Sequence, residues 1–317
     1  MKLNIWGARG SHPKPATPEQ IKSKISAVIQ RVQPEDLVSP ESREAFLANL
    51  PPWLFGTYSG NTACLTVTTD AGKSVIFDAG TGITEYWKHL IQQGVALSGN
   101  EYHIFFTHYH YDHIQGFPFF VPAYIPGNIV NLYSAQPELE KTIRSQMKHP
   151  FFPVSVDAAM QSELIFHQLQ KYGEIYISNT RIRWIKLEHP GGAFGYLIEN
   201  DNRRGLYCSD VSVNNNMYEK TEENRAFYEK LDCIILDTQY TLDEALQKFD
   251  WGHTSYLHGV DFALHWQAKK LILFHHEPTY GDQKLYENLK AAQNFASSMS
   301  SSALEIQIAR EGDTILF

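Results

Sequence analysis

Apolar runs of strand length, separated by polar turns, occupy most of the chain, and only a few stretches keep the three-to-four spacing of a helix. Lys2 to Trp6 is the first such run, turned by Gly7-Ala-Arg-Gly10. Thr62 to Thr69 and Ser74 to Phe77 pair around Asp70-Ala-Gly-Lys73, a hairpin signal. Tyr102 to Phe106, Asn128 to Tyr133, Glu163 to Gln168, Glu174 to Ile177 and Arg181 to Leu187 read as further strands. Ala193 to Glu199 pairs with Arg203 to Ser209 across Asn200-Asp-Asn202, and Leu231 to Asp237 reads as a buried strand. Leu304 to Ile308 with Thr314 to Phe317 is expected to close a sheet.

Helical spacing appears early. Thr17-Pro-Glu-Gln20 has the form of a capping box with Pro at the first helical position, and Ile21, Ile25, Val28, Ile29 and Val32 then recur on one face. Ser39-Pro-Glu starts a second short helix carrying Phe46, Leu47 and Leu50, so the two predict a helical hairpin with an apolar stripe. Other helices are expected after Gly82, over Pro137 to Lys148, and along Leu257, Val260 and Leu264. Gly116 to Gly127 and His149 to Val154 are aromatic and proline-rich, with little regular structure expected, and the first suits a pocket wall.

The chemistry gathers where one strand ends. After Tyr102 to Phe106 comes Thr107-His-Tyr-His-Tyr-Asp-His113, three imidazoles and a carboxylate in six residues. His108 and His110 leave extended backbone on one face, while Asp112 and His113 fall in the following turn and can aim at a neighbouring point. Two adjacent metal sites are plausible there. Imidazole with carboxylate suits zinc, and also manganese or iron, better than calcium or magnesium.

His108-x-His110-x-Asp112-His113 resembles the signature of the metallo-β-lactamase superfamily. That resemblance implies an α/β fold, a four-layer αββα sandwich with one or two metals at one edge. The partners it implies follow in order at strand ends: His189 in Leu-Glu-His-Pro, Asp210 closing Gly-Leu-Tyr-Cys-Ser-Asp, and His275 after Leu271 to Phe274. One metal would be held by His108, His110 and His189, the other by Asp112, His113 and His275, with Asp210 bridging; Asp112 is counted among the catalytic residues as well. Asp78, in Asp78-Ala-Gly-Thr-Gly82, would support the metal loop by hydrogen bonding rather than bind metal. The family often runs from the first glycine turn almost directly into a Gly-Asn-Thr strand, here Gly60-Asn-Thr62, so the chain is expected to be a single domain, 1–317, with 12–56 as a helical insertion. That insertion would be a lid or homodimer contact delivering Trp53, Phe55 or Tyr58 to the substrate, or else a packing embellishment.

A second constellation narrows the reaction. Asp237 ends a buried strand, Gly252-His253-Thr-Ser255 precedes a helix, and His275 follows, an order that resembles the phosphodiesterase branch, including tRNase Z and the phosphoribosyl cyclic phosphodiesterases. There a carboxylate orients a histidine in a Gly-His-Ser/Thr motif. Here the carboxylate is Asp237 rather than Glu, and whether its shorter arm reaches His253 is open. The implied activity is metal-dependent hydrolysis of a small phosphodiester such as a cyclic nucleotide or cyclic sugar phosphate, with two divalent ions, zinc before manganese or iron. An RNA 3′-processing endonuclease, a lactone or thioester hydrolase and a non-catalytic metal-binding protein are the alternatives.

Composition adds limits. The 317 residues are 43% hydrophobic, enough for a large core, and the net charge of −8 argues against a nucleic-acid footprint spread over the surface. No stretch approaches the length of a membrane span and Met1 to Trp6 reads as a strand rather than a leader, so the expected location is cytoplasmic. Cys64, Cys208 and Cys233 lie in apolar runs and read as buried free thiols; Cys208, near Asp210, reads as packing before metal contact. His276 is expected to point away from the metals and His149 to be a pocket candidate, while His12, His89, His103, His167, His258 and His265 lack partners at ligand spacing.

Overall fold

The computed structural model describes residues 1–69, 72–200, 202–299 and 304–317. The turn centres at Asp70-Ala71 and Asp201 lie outside the described residues, but the strands they join are paired as expected.

The first sheet contains β1 (Lys2–Gly7), β2 (Cys64–Thr68), β3 (Ser74–Phe77), β4 (Glu101–Phe105), β5 (Ile129–Ser134) and β6 (Glu163–Gln168). The second contains β7 (Glu174–Ile177), β8 (Thr180–Leu187), β9 (Ala193–Asn200), β10 (Arg203–Cys208), β11 (Cys233–Asp237), β12 (Lys270–Phe274) and β13 (Glu305–Ile308). β14 (Thr314–Leu316) returns to the first. The spatial orders are β14-β1-β2-β3-β4-β5-β6 and β13-β12-β11-β10-β9-β8-β7. The last two strands therefore close different sheets, contrary to the expectation of one. β14 pairs with β1 through Leu3 and Ile315, while β13 pairs with β12.

Alternation along the strands decides the layers, because successive side chains leave opposite faces. Val75, Phe77 and Phe105 of the first sheet meet Trp184, Tyr196, Tyr207 and Ile235 of the second in one core between the sheets. Their neighbours in sequence, Ile76 and Ile104, turn outward onto Ile83, Tyr86, Leu139 and Ile143. Leu206 and Leu236 turn outward on the other side onto Val260, Phe262 and Leu285. Helices thus cover both outer faces, giving the expected αββα order. Central parallel strands such as β11 are buried along their whole length because both faces are covered.

Two loop expectations change. Gly116 to Gly127 forms two short helical turns, Phe117–Phe119 and Val121–Tyr124, and Phe117 and Phe120 are buried in the outer core of the first sheet. It is core, not pocket wall. The 12–56 segment forms helices over Pro18–Ile29, Pro40–Asn49 and Pro52–Phe55, with the capping box at Thr17 in place, but its two long helices bury no residue fully. Ile25 is 59% exposed, as the apolar stripe of the first helix faces solvent rather than the core. Tyr58 and Trp53 pack in the outer core of the second sheet and Phe55 is exposed, so none of the three is delivered to the site.

Candidate metal centre

Five strand ends meet at one edge. β4, β10, β11 and β12 run in parallel directions within their sheets, and β8 shares the direction of β10 through the antiparallel β9 between them. His108 to His113, His189, Asp210, Asp237 and His275 follow or end these strands, as read from sequence. Carboxyl ends of strands are where α/β sheets leave space for chemistry.

Two groups of side chains converge. In one, His108 Nε2 and His189 Nε2 lie 3.0 and 3.2 Å from His110 Nδ1. Asp210 Oδ2 is 3.7 Å from the Nε2 atoms of both His108 and His189. In the other, Asp112 Oδ2 is 3.3 Å from His113 Nε2 and 3.1 Å from His275 Nε2. Asp210 Oδ1 is 3.0 and 3.3 Å from the same two nitrogens. Ligands at about 2.0–2.1 Å around a tetrahedral ion are separated by about 3.3 Å, so these spacings match a coordination shell. Asp210 turns one oxygen to each group.

The outer hydrogen bonds fix which nitrogen faces inward. His189 Nδ1 donates to the Gly252 carbonyl at 2.9 Å, His275 Nδ1 to Gln239 Oε1 at 3.0 Å, and His113 Nδ1 to Asp78 Oδ2 at 2.8 Å. Acceptors at these positions hold a proton on Nδ1 and turn each Nε2 toward the common point. His108 follows the same rule through Thr107: the threonine hydroxyl spends its hydrogen on Asp78 and accepts from His108 Nδ1 at 3.0 Å. Asp78 is the buried anchor of this loop, accepting also from Thr107 N and the Tyr207 hydroxyl, each at 2.8 Å. It is where the sequence reading put it.

The cluster is short of positive charge. Burial and the neighbouring imidazoles push His108 well below its ordinary value, keeping it neutral. Burial works against His113 and His275 too, but Asp210 and Asp112 outweigh it and raise both, His275 to about 9. Asp210 and Asp112, although buried, are held well below the usual carboxylate range by the same imidazoles. Protons on His113 and His275 thus stand in for missing cations. His113 Nε2 and Asp210 Oδ1 are buried without a hydrogen-bond partner despite lying 3.0 Å apart, because both aim at a common point rather than at each other. Divalent cations fit this donor set.

His253 stands beside the second group. Its Nδ1 donates to Asp237 Oδ2 at 2.7 Å, so the shorter arm does reach, and its ring stacks on His275 with centroids 4.9 Å apart. Asp237 is fully buried and held by Val211 N and Gln239 N at 3.2 and 3.0 Å. Asp237, His253 and His275 could also gather around an ion. The close Asp237–His253 bond favours an oriented imidazole over a third ion site, since that carboxylate already carries three hydrogen bonds. A cleft of about 370 Å³ is lined by His253, His275, His110, Asp112 and Asp210.

Sequence reasoning missed several contributors. Ser11 N donates to Asp112 Oδ2 at 2.7 Å from a left-handed residue after the glycine turn. Gly10 has to be glycine, since a Cβ would come within 2.5 Å of the His275 ring. Gln239 orients His275, and Tyr109 and Tyr111 wall the cleft. Gln239 was findable as the residue two places past the Asp237 strand end. Among the other candidates, His149 is exposed and does not line the cleft, so it is not a pocket residue. His276 points away and meets the Ala309 carbonyl, and Cys208 is packed in the outer core of the second sheet; neither joins the ligand groups.

Residues 73–276 match the family described as "Beta-lactamase superfamily domain", a span that holds every residue of both groups and excludes 12–56. Ribonuclease Z of Haloarcula marismortui is 25% identical over 167 residues, covering 48% of this chain and 46% of that protein. The chain thus spans about half the length of that curated relative. Among solved structures, the metallo-beta-lactamase fold protein YhfI from Bacillus subtilis is similar at TM-score 0.64 and 15% identity, covering 99% of this chain and 98% of its own. A diphosphatase of the PhnP family is similar at TM-score 0.61 and 17% identity, covering 100% and 97%. At these identities the likeness establishes the fold.

Proposed function

The chain belongs to the beta-lactamase superfamily, and from that premise we propose that it is a dinuclear metal-dependent phosphodiesterase acting on a small phosphodiester. The observation that carries this reading is the 2.7 Å bond between His253 and Asp237 beside the cluster centred on Asp210. A lactone or β-lactam can be opened by metal chemistry alone. A phosphodiester with an alkoxide leaving group needs a proton donor as well.

In this reading His108, His110, His189 and Asp210 would hold one ion, and Asp112, His113, His275 and Asp210 the other. Two bound divalent cations, zinc on the donor chemistry, supply Lewis acidity at phosphorus and acidify the attacking water. Asp210 would serve both, since its Oδ2 faces His108 and His189 and its Oδ1 faces His113 and His275. Ser11 N holds the Asp112 oxygen, Oδ2, that faces His113 and His275. His253, protonated and oriented by Asp237, gives its proton from Nε2 to the leaving oxygen. Asp237 stays ionised through the cycle, stabilising the imidazolium.

The ribonuclease Z relative supports RNA 3′ processing as a second reading. Against it stand the net charge of −8 and the connection from His113 to His189, which is filled by strands and helices rather than by a long Gly/Pro-rich basic arm. The test is the leaving group. His253→Ala is expected to lose roughly 10²- to 10⁴-fold on a diester with a ribose leaving group and far less on bis(p-nitrophenyl) phosphate, whose leaving group departs unprotonated. Equal losses on both, with metal retained, would remove His253 as the acid.

A further inference from the structure

Behind His275 a chain of hydrogen bonds runs away from the metal centre and ends on a buried carboxylate. His275 Nδ1 donates to Gln239 Oε1 at 3.0 Å, and Gln239 Nε2 donates to Glu277 Oε2 at 2.7 Å. Glu277 Oε1 accepts from the Thr279 hydroxyl and the Thr279 backbone N–H at 3.0 and 3.3 Å. The local sequence builds this: Glu277-Pro278-Thr279-Tyr280 is a turn with Pro at its second position, closed by Tyr280 N on the Glu277 carbonyl at 3.0 Å. That turn brings Thr279 under its own carboxylate.

Glu277 is 6% exposed and enters no ion pair among the described residues. The guanidinium of Arg9, buried nearby, meets the carbonyls of Ser59, Glu277 and Tyr280 rather than this carboxylate. An acidic side chain is rarely buried without a cation unless its hydrogen bonds are needed where it stands.

The need follows from counting donors. A carboxylate only accepts, so the end of the Gln239 amide that meets Glu277 has to be its NH2. The carbonyl end then faces His275, and an imidazole meets it only with a hydrogen on Nδ1. His275 Nε2 is thereby turned to Asp112 and Asp210, at 3.1 and 3.3 Å. For His113 the Asp78 carboxylate does the same directly, at 2.8 Å. The two histidines that share Asp112 are each backed by a buried carboxylate, one at first hand and one through an amide, whereas His189 has the Gly252 carbonyl. An amide, unlike a carbonyl fixed in the backbone, can turn over. Glu277 removes that freedom.

We propose that Glu277 is a positioning residue for the metal that His275 would bind, acting through Gln239 by fixing which end of the amide faces the imidazole. This rests on the two-metal reading of the site and is independent of the substrate. Glu277→Gln exposes the device. The Thr279 N–H can only donate, so it keeps the oxygen of the introduced amide toward itself and leaves the introduced NH2 toward Gln239. Gln239 then has to turn over, its own NH2 meets His275 Nδ1, and the imidazole hydrogen moves to Nε2, the nitrogen that faces the carboxylates. Adding Gln239→Glu gives His275 an acceptor again and accepts from the introduced NH2, so the double variant Gln239→Glu/Glu277→Gln should behave as wild type.

Competition against a fluorescent zinc chelator reads affinity, and long-range proton–nitrogen NMR of histidine-labelled protein reads which nitrogen of His275 carries hydrogen, with and without zinc. Glu277→Gln should keep one zinc ion at wild-type affinity, bind the second roughly 10- to 100-fold more weakly, as is usual when the outer partner of a ligand is lost, and show a bare Nδ1. The double variant should regain both properties. Unchanged affinity in Glu277→Gln, a hydrogen still on Nδ1 there, or a double variant no better than the single one overturns the proposal. If wild type takes up fewer than two zinc ions, the two-metal reading fails, and the NMR signal of zinc-free protein then decides the role of Glu277 by the same criterion. Should Glu277→Gln not fold, the double variant decides: hydrogen on Nδ1 with near wild-type affinity supports the proposal, and a bare Nδ1 overturns it.

Discussion

The metal-ligand edge and the 12–56 segment both carry clear patterns in sequence, yet they end in opposite physical states. Every proposed ligand except His110 is buried, and most have a second hydrogen bond that sets the direction of the metal-facing atom. The first helix of 12–56 leaves Ile21, Ile25 and Ile29 largely in solvent. Polar links attach it instead: Lys24 pairs with Asp282, whose carboxylate also accepts from Tyr58 N and Thr57. The edge is over-determined because five strands and a buried carboxylate fix each side chain from several directions. The helices are fixed by their caps and a few contacts, so single residues there matter little.

The largest expected effect comes from removing the anchor of the edge. Asp78→Ala strands buried donors from Thr107, His113 and Tyr207, and should cost about 3–5 kcal/mol in denaturant unfolding together with metal at the His113 side. A loss below ~1 kcal/mol would show the edge to be no more constrained than the helices.

A smaller effect is expected from pH. His275 has a folded value raised to about 9 against an ordinary ~6.5, and His113 is raised in the same direction. In metal-free protein these groups contribute stability that is fully present below pH ~6.5 and lost as pH rises through about 9. Metal has to displace the same protons, so affinity should run the other way, weak in acid and strengthening toward pH 9. Calorimetry of metal loading at pH 7 in two buffers of different ionisation enthalpy should read release of at least about one proton per chain. Uptake, or no exchange, would contradict the charge assignment.

The smallest effects belong to 12–56. Ile25→Lys should change stability by no more than ~0.5 kcal/mol, because the side chain is already 59% exposed. Deleting residues 16 to 52 should leave metal content intact, since no proposed ligand lies there, although it removes the buried Leu50. A cost above ~2 kcal/mol for Ile25→Lys would mean that the stripe is covered in solution, and the contrast drawn above would fail.

How legible each region was follows from the same difference. Strands were readable because burial on both faces demands apolar runs, and the ligands stood out as polar residues ending them, as at Phe274-His275 and Leu236-Asp237. Asp78 was placed by the family resemblance, which implies a carboxylate there that supports the metal loop. Ser11 was not readable as a site residue, since it acts through its backbone, and the one signal for Gln239 was its place two residues past the Asp237 strand end. The helices of 12–56 were legible from Thr17 and Ser39, but their surroundings were not: helical periodicity marks an apolar face without saying what covers it. The separate sheets of β13 and β14 were hidden for a similar reason, because short edge strands carry no mark of their partner.

The most direct test of the central claim is elemental analysis of protein reconstituted with zinc and passed through a desalting column. Two Zn²⁺ per chain in wild type is the result this account predicts, because the spacings around Asp210 define two shells sharing one carboxylate. One ion or none per chain, with the circular dichroism of a folded protein, would contradict it.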